Sequence, residues 1–581
     1  MQPNGPAATP VADQGDSASL RPGFTPASGM FGGDAADRPA RDTLRLGYEA
    51  RMRRASQFAR GKIVPARDTV ALLEAVIEPG DRVCIEGNNQ KHADFLAQCL
   101  ARVAPERVNR LHIVQSNIAL APHLDVFERG IAERLDFCYS GPQGLRLARL
   151  AGEGVVQVGA IHTYLELYSR YFCDLTPRVS FLAADAADAA GNLYTGPNTE
   201  DSAAIAEATA FKSGVLIAQV NRIVDAVPRV DIPGDWVSFV VEAPKPYYIE
   251  PIFTRDPAAI TDIQILMAMM VIRGIYEPYG VTRLNHGIGF DTAAIELILP
   301  TYAEALGLRG RICTHMSVNP CPTLIPAIEA GFVEGIHCAG SELGMERYVA
   351  ERSDVFFIGR DGSMRSNRVF CQLAGHYADL FIGSTLQIDL EGNSSTATRS
   401  RITGFGGAPN FGCESRGRRH GSPSWLKAGA EAQRGGMPRG RKLVVQIVET
   451  FREGLAPSFV ERLDAWDLME GFDLPLPPVM VYGDDVTHIV TEEGIANLLL
   501  CDGQAEREQA IRAVAGYTPV GLERDRDAAA RLRARGVVRY PEDLGVDRRL
   551  ASRDLLAARS IKDLVRWSGG LYDPPPRFRN W

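Results

Sequence analysis

From Leu44 onward, short apolar runs alternate with segments whose apolar positions recur at helical spacing, a pattern that predicts parallel sheets covered by helices. Asp81 to Glu86 reads as a strand, Gly87 to Gln90 as a polar turn and His92 to Val103 as a helix. Further strands are predicted at Leu111 to Gln115, Leu135 to Tyr139, Val155 to Ile161, Phe181 to Ala183 and Gly214 to Gln219, around a loop from Ala187 to Pro197. A stretch with three prolines, Pro244 to Asp256, reads as a linker, and helix Ile260 to Tyr276 then opens a second set of alternating elements. The expected fold class is α/β, with two domains of mainly parallel sheets at about 46–250 and 257–581. Residues 1–45, rich in Ala, Pro, Gly, Asp and Ser with neither period, read as a disordered tail.

Glycine-rich breaks in this pattern carry the candidate chemistry. Arg283 to Thr292 (Arg-Leu-Asn-His-Gly-Ile-Gly-Phe-Asp-Thr) reads as a strand-to-helix turn, where bare backbone N–H groups at a helix start favour anions and developing oxyanions. A second glycine loop spans Gly404 to Gly412, and a Thr-Glu-Glu-Gly segment follows at Thr491 to Gly494. Between the second loop and the next apolar strand lies the one strongly cationic segment, which includes Arg416, Arg418, Arg419, His420, Arg439 and Arg441; it reads equally as an anion-gripping surface or as a solvated loop.

Composition narrows the function classes. A net charge of -8 gives no general attraction to nucleic acid or anionic membranes, and the apolar run Ile265 to Ile272 is too short to span a bilayer. The ten cysteines include no Cys-x-x-Cys pair, and a reducing cytoplasm suits them best. Cys313, His315 and Cys321 come nearest to a metal cluster, but ordinary packing is the simpler reading, and no metal is expected.

Five segments together resemble the α subunit of bacterial malonate decarboxylases, within the CoA-transferase superfamily and related to citrate lyase α subunits. They are Glu86 to Lys91, Gly191 to Pro197, Leu284 to Phe290, Gly359 to Ser363 and Tyr482 to His488, and the resemblance runs from about Arg51 to Trp581. It implies two CoA-transferase-like domains and an acyltransferase that converts acetyl-S-carrier plus malonate into malonyl-S-carrier plus acetate. It further implies an acyl carrier protein subunit bearing a phosphoribosyl dephospho-CoA arm, with separate subunits decarboxylating the malonyl-S-carrier. The transfer has a chemical purpose, because a thioester carbonyl delocalises a carbanion that free malonate stabilises poorly.

Many CoA transferases carry a nucleophilic glutamate on the strand after the first glycine turn. Here that segment, Ile312 to Pro320, holds no acid, and the corresponding position falls near Ser317. The resemblance therefore favours direct attack of the malonate carboxylate on the thioester, as envisaged for citrate lyase α subunits. Gly287, Gly289, Gly406 and Gly407 are candidates for oxyanion or thioester contacts, with plain turn formation as the alternative. Asn285, Ser317, Asn319 and Asn410 are candidates to orient carboxylates, and His286 and His315 to protonate the thiolate or balance charge. Glu342 is the best substitute nucleophile. Asn88, Asn89 and Gln90, at a strand end, are candidates for the substrate or the carrier arm, as are Arg418 and Arg419.

Overall fold

The computed structural model of the chain describes residues 41–87, 91–197, 201–338, 340–359, 375–376, 378–432, 437–579 and 581. Most of the expected tail, the Asn88, Asn89 and Gln90 turn and the Arg360 to Ser363 motif lie outside the described residues. Described structure begins with a helix at Arg41–Ala55, a few residues before the expected boundary. Arg51 anchors this helix by reaching Asp81 and the carbonyl of Val76.

The first sheet is built from β1 (Ile63–Val64), β2 (Arg82–Ile85), β3 (Leu111–Asn117), β4 (Ala132–Tyr139), β5 (Gln157–Ile161), β6 (Val179–Ala187), β7 (Leu193–Tyr194), β8 (Val215–Ile223) and β9 (Phe239–Glu242). Their spatial order is β1-β9-β8-β6-β2-β3-β4-β5, parallel throughout, with β7 added antiparallel to β6. The chain winds outward from β2 in one direction, then returns to β2's other side with β6. That reversal makes the ends of β2 and its neighbours the switch point of the sheet. Strands buried on both faces are near-continuous apolar runs, as in Val83-Cys84-Ile85 and Val215 to Ala218, because helices cover each side.

The second sheet contains β10 (Arg283–His286), β11 (His315–Ser317), β12 (Gly335–His337), β13 (Leu380–Ser384), β14 (Leu443–Ile447), β15 (His488–Val490), β16 (Ile495–Asn497) and β17 (Val538–Arg539). Its order is β12-β11-β10-β13-β14-β15-β16-β17; the first six strands are parallel and the last two are antiparallel additions. Here the reversal falls between β10 and β13. The helix predicted over Ile260 to Tyr276 forms as Asp262–Val271, capped by Thr261 and Gln264, and continues as a wider turn at Ile272–Tyr276. It packs against helix Phe290–Ile298, and both are buried along most of their length.

The second glycine loop leaves its own sheet to dock on the first. Gly404 pairs with Tyr139 at the end of β4, Ser140 donates to the carbonyl of Thr403, and Phe405 and Gly406 both donate to the carbonyl of Cys138. Gly404 has a φ of 79°, and a Cβ there would lie 2.4 Å from the Cys138 carbonyl oxygen, so the contact requires glycine twice over.

Candidate active site

Between the docked loop and the ends of β10, β11 and β13 lies a cavity of about 310 Å³. It sits at the switch point of the second sheet, where an open parallel sheet leaves room beyond its strand ends. Asn285, His286, Gly287, Ser317, Asn319, Gly406 and Gly407 line it together, although they come from three separate segments of the chain. His315, Glu342, Asn410, Arg418, Arg419 and Gly289 are not in its lining.

Several of these groups are already committed inside the fold. The Gly287 amide donates to the carbonyl of Ile382 across the sheet at 2.7 Å, and the Gly406 amide to Cys138, so neither N–H is free for an oxyanion. Their glycine identity has a packing cause. A Cβ on Gly287 would lie 2.9 Å from the Gly383 Cα of the neighbouring strand, and one on Gly406, at a φ of 58°, 3.3 Å from the Tyr164 hydroxyl. Among the described residues the amides of Gly289 and Gly407 have no partner. Of these two, Gly407 faces the cavity.

His286 is buried with both ring nitrogens engaged. Its Nδ1 meets Glu296 at 3.0 Å and its Nε2 meets the Tyr276 hydroxyl at 2.9 Å, while Thr323 donates to the other oxygen of Glu296. The ring is thus held by an internal network and leaves no nitrogen to give a proton to the cavity. Asn285 donates to the Ser317 carbonyl, tying the ends of β10 and β11 together, and Asn319 accepts from the Gly340 amide at 3.2 Å. His315 lies exposed at the opposite end of β11 beside Thr314. Arg418 is buried against Asp379 at 2.9 Å and over the Trp425 ring, whereas Arg419 is exposed and bonds the carbonyls of Arg416 and Arg418. Glu342 is fully buried and accepts two hydrogen bonds from Thr254.

The lining also contains side chains that the sequence did not single out. Arg255, Arg401, Tyr139, Tyr164, Ser384 and Thr385 are among them, and the described lining includes no carboxylate. Burial pushes the Tyr139 phenol up while Arg255 and Arg401 pull it down, so both guanidinium groups lie within electrostatic reach of one ring. Ser384 donates to Asp291 at 2.7 Å, just behind the wall. Burial pushes the Asp291 carboxyl up to about 6, opposed by the Ser384 hydrogen bond, and nearby Glu492 adds to the rise. No helix among the described residues is long and apolar enough to cross a membrane.

Two mainly parallel sheets whose strand ends and crossing glycine loop enclose a cavity define the class of α/β fold to which the chain belongs. A citrate lyase alpha-subunit structure from Streptococcus mutans shares this architecture, with a TM-score of 0.54 at 16% identity over 78% of this chain and 82% of that one. The family model described as malonate decarboxylase, alpha subunit, transporter matches residues 41–581, and the chain belongs to that family. An acetyl-S-ACP:malonate ACP transferase from Malonomonas rubra is 61% identical over 547 residues, covering 93% of this chain and 99% of the relative. A chain of a Pseudomonas malonate decarboxylase hetero-tetramer, solved in complex with malonate, is 57% identical. It superimposes with a TM-score of 0.90 over 94% of this chain and 100% of that chain.

Proposed function

We propose that this chain is an acyltransferase that exchanges acetate for malonate on the thiol of an acyl carrier protein, giving malonyl-S-carrier and acetate. The observation that carries the reading is the cavity, which offers amides, hydroxyls and two guanidinium groups but no carboxylate among its described lining residues. The full-length match to an acetyl-S-ACP:malonate ACP transferase supports the same reaction. Without a lining carboxylate to take the acyl group, the malonate carboxylate attacks the acetyl carbonyl itself. The C–S bond breaks, the thiolate leaves, and a mixed acetyl-malonyl anhydride forms. The thiolate then attacks the malonyl carbonyl of that anhydride, its C–O bond breaks, and acetate departs; no proton is gained or lost overall.

Several lining groups have a part in this scheme. The Gly407 amide and the Ser317 hydroxyl are placed to receive charge on the tetrahedral oxygen, as preorganised donors do, whereas the Thr385 hydroxyl is already spent on the carbonyls of Gln387 and Ser395. Asn285 and Asn319 hold the strand ends in position, and His286 acts through its buried network as a support for the wall. The phosphoribosyl dephospho-CoA arm belongs to the carrier protein and enters as substrate. In this reading the chain works in the cytoplasm beside the carrier and decarboxylating subunits, in line with its hetero-tetrameric relative. The halves at about 46–250 and 257–581 serve as two domains that each contribute walls to the cavity.

The test is to incubate the purified chain with acetylated holo carrier protein and labelled malonate, then weigh both proteins intact. Malonyl carrier with an unmodified chain is the expected result. An acyl or thioester adduct on the chain would overturn direct attack, and absence of any exchange would overturn the transferase reading.

A further inference from the structure

The two cations of the cavity are held very differently, and the difference bears on which acids the site accepts. Arg255 comes from the segment that links the two sheets. Its Nη1 donates to the carbonyls of Ile252 at 2.7 Å and Thr254 at 3.0 Å, and its guanidinium lies over the Phe290 ring at 5.6 Å from the centroid. Among the described residues its Nε and Nη2 have no partner. The nearby buried acid, Glu342, is already taken up by Thr254. Arg401, in contrast, is exposed, and its side chain is held by no contact among the described residues. A guanidinium fixed on one edge and open on the other loses little freedom on binding and presents a fork that fits a carboxylate. A carboxylate that must attack as a nucleophile gains nothing from such neutralisation, whereas one that only needs to be held gains a great deal.

On the acyl-exchange reading above, we propose that Arg255 grips the non-reacting carboxylate of the acid and so selects dicarboxylates over monocarboxylates. The reacting carboxylate is then left facing the thioester near Gly407 and Ser317. A monocarboxylate such as acetate still reacts, because its attack on acetyl-S-carrier is a degenerate exchange through acetic anhydride, but it forgoes this contact.

The test compares two reactions of the same chain with acetylated holo carrier protein: transfer from labelled malonate, and exchange of labelled acetate into the acetyl carrier. In Arg255→Gln the ratio of malonate to acetate turnover, each as kcat/KM, is expected to fall on the order of 10- to 100-fold, the range for loss of a charged hydrogen-bonded contact. Arg255→Lys, which restores the charge without the fork, is expected to fall between the two. Equal losses in both reactions, or an unchanged ratio in both variants, would overturn the assignment of Arg255 while leaving acyl exchange intact. Failure of the unaltered chain to exchange either acid would overturn the reading beneath it, and this inference with it. Should Arg255→Gln misfold for want of its contacts to Ile252 and Thr254, the ratio in Arg255→Lys decides alone.

Discussion

The two sheets offer equivalent places for a ligand, the strand ends where winding reverses, yet they use them in opposite ways. Beyond β2 in the first sheet, the described residues fill the space with charge. Glu86 and Lys91 are both fully buried 3.2 Å apart, Lys91 donates to Ser202 at 2.6 Å, and Ser202 donates in turn to Glu86. Asp201 accepts from Ser116 beside them, and burial pushes the Glu86 carboxyl up against the pull of Lys91. Beyond β10 and β13 in the second sheet, glycines and amides leave a hollow, and the nearby acids Glu296 and Asp291 are kept behind the wall by His286 and Ser384. Sheet topology therefore provides the location, while the side chains at the strand ends decide whether it becomes a core or a site. A buried ion pair closes such a place because each charge must satisfy the other without water.

The largest expected effect breaks the filled end. Glu86→Ala leaves the Lys91 ammonium without its carboxylate and is expected to cost about 3–5 kcal/mol of stability, whereas Glu86→Gln combined with Lys91→Met recovers most of it. Chemical denaturation of the three proteins checks this, and equal stabilities for Glu86→Ala and the double variant would show that the pair does not act as a unit.

Next comes the loop that closes the hollow end. Gly404→Ala must push the chain away from Cys138 and forces a side chain into a left-handed backbone. Acyl exchange should drop roughly 100-fold through misplacement of Gly406 and Gly407, with a smaller loss of stability. A variant with normal exchange rates would mean that the loop does not position the reacting groups.

The smallest effect sharpens the comparison through pH. Asp291 is raised in the folded chain to about 6, so folded protein binds its proton more tightly than unfolded protein, and stability falls as pH rises from about 4 towards 6. Above that window the folded chain carries the full penalty of a buried carboxylate. Asp291→Asn is therefore expected to be more stable than the parent by roughly 2 kcal/mol near pH 7, with the advantage shrinking towards pH 4. Melting temperatures measured across this range check it, and parallel pH curves would show that Asp291 is not the titrating group.

Much of the fold was legible. The strands at Leu111, Leu135, Val155 and Gly214 form close to where the apolar runs place them, and the Arg283 to Thr292 turn is a strand, a glycine bend and a helix start as read. The site was legible in part. Residues at a glycine break, such as Asn285 and Gly407, announce themselves because unusual backbone geometry leaves a mark on sequence, whereas Ser317 was reached only through the position where related transferases carry a glutamate. Arg255 gave no such signal, since it lies in a proline-rich connector whose value comes only from passing over Phe290. Arg418 drew attention through its basic neighbours, but it turns inward to Asp379 and Trp425.

By itself the amino-acid sequence determined the α/β alternation, the positions of the glycine turns and the lack of an acid at Ser317, because these depend on local periodicity and residue identity. The tertiary structure decided which glycine amides are already spent on the sheets, that His286 is locked between Tyr276 and Glu296, and that Arg255 and Arg401 share a cavity with the second glycine loop. Those outcomes rest on contacts between segments far apart in the chain, and a hydrogen-bond donor is available or consumed only once its distant partner has arrived.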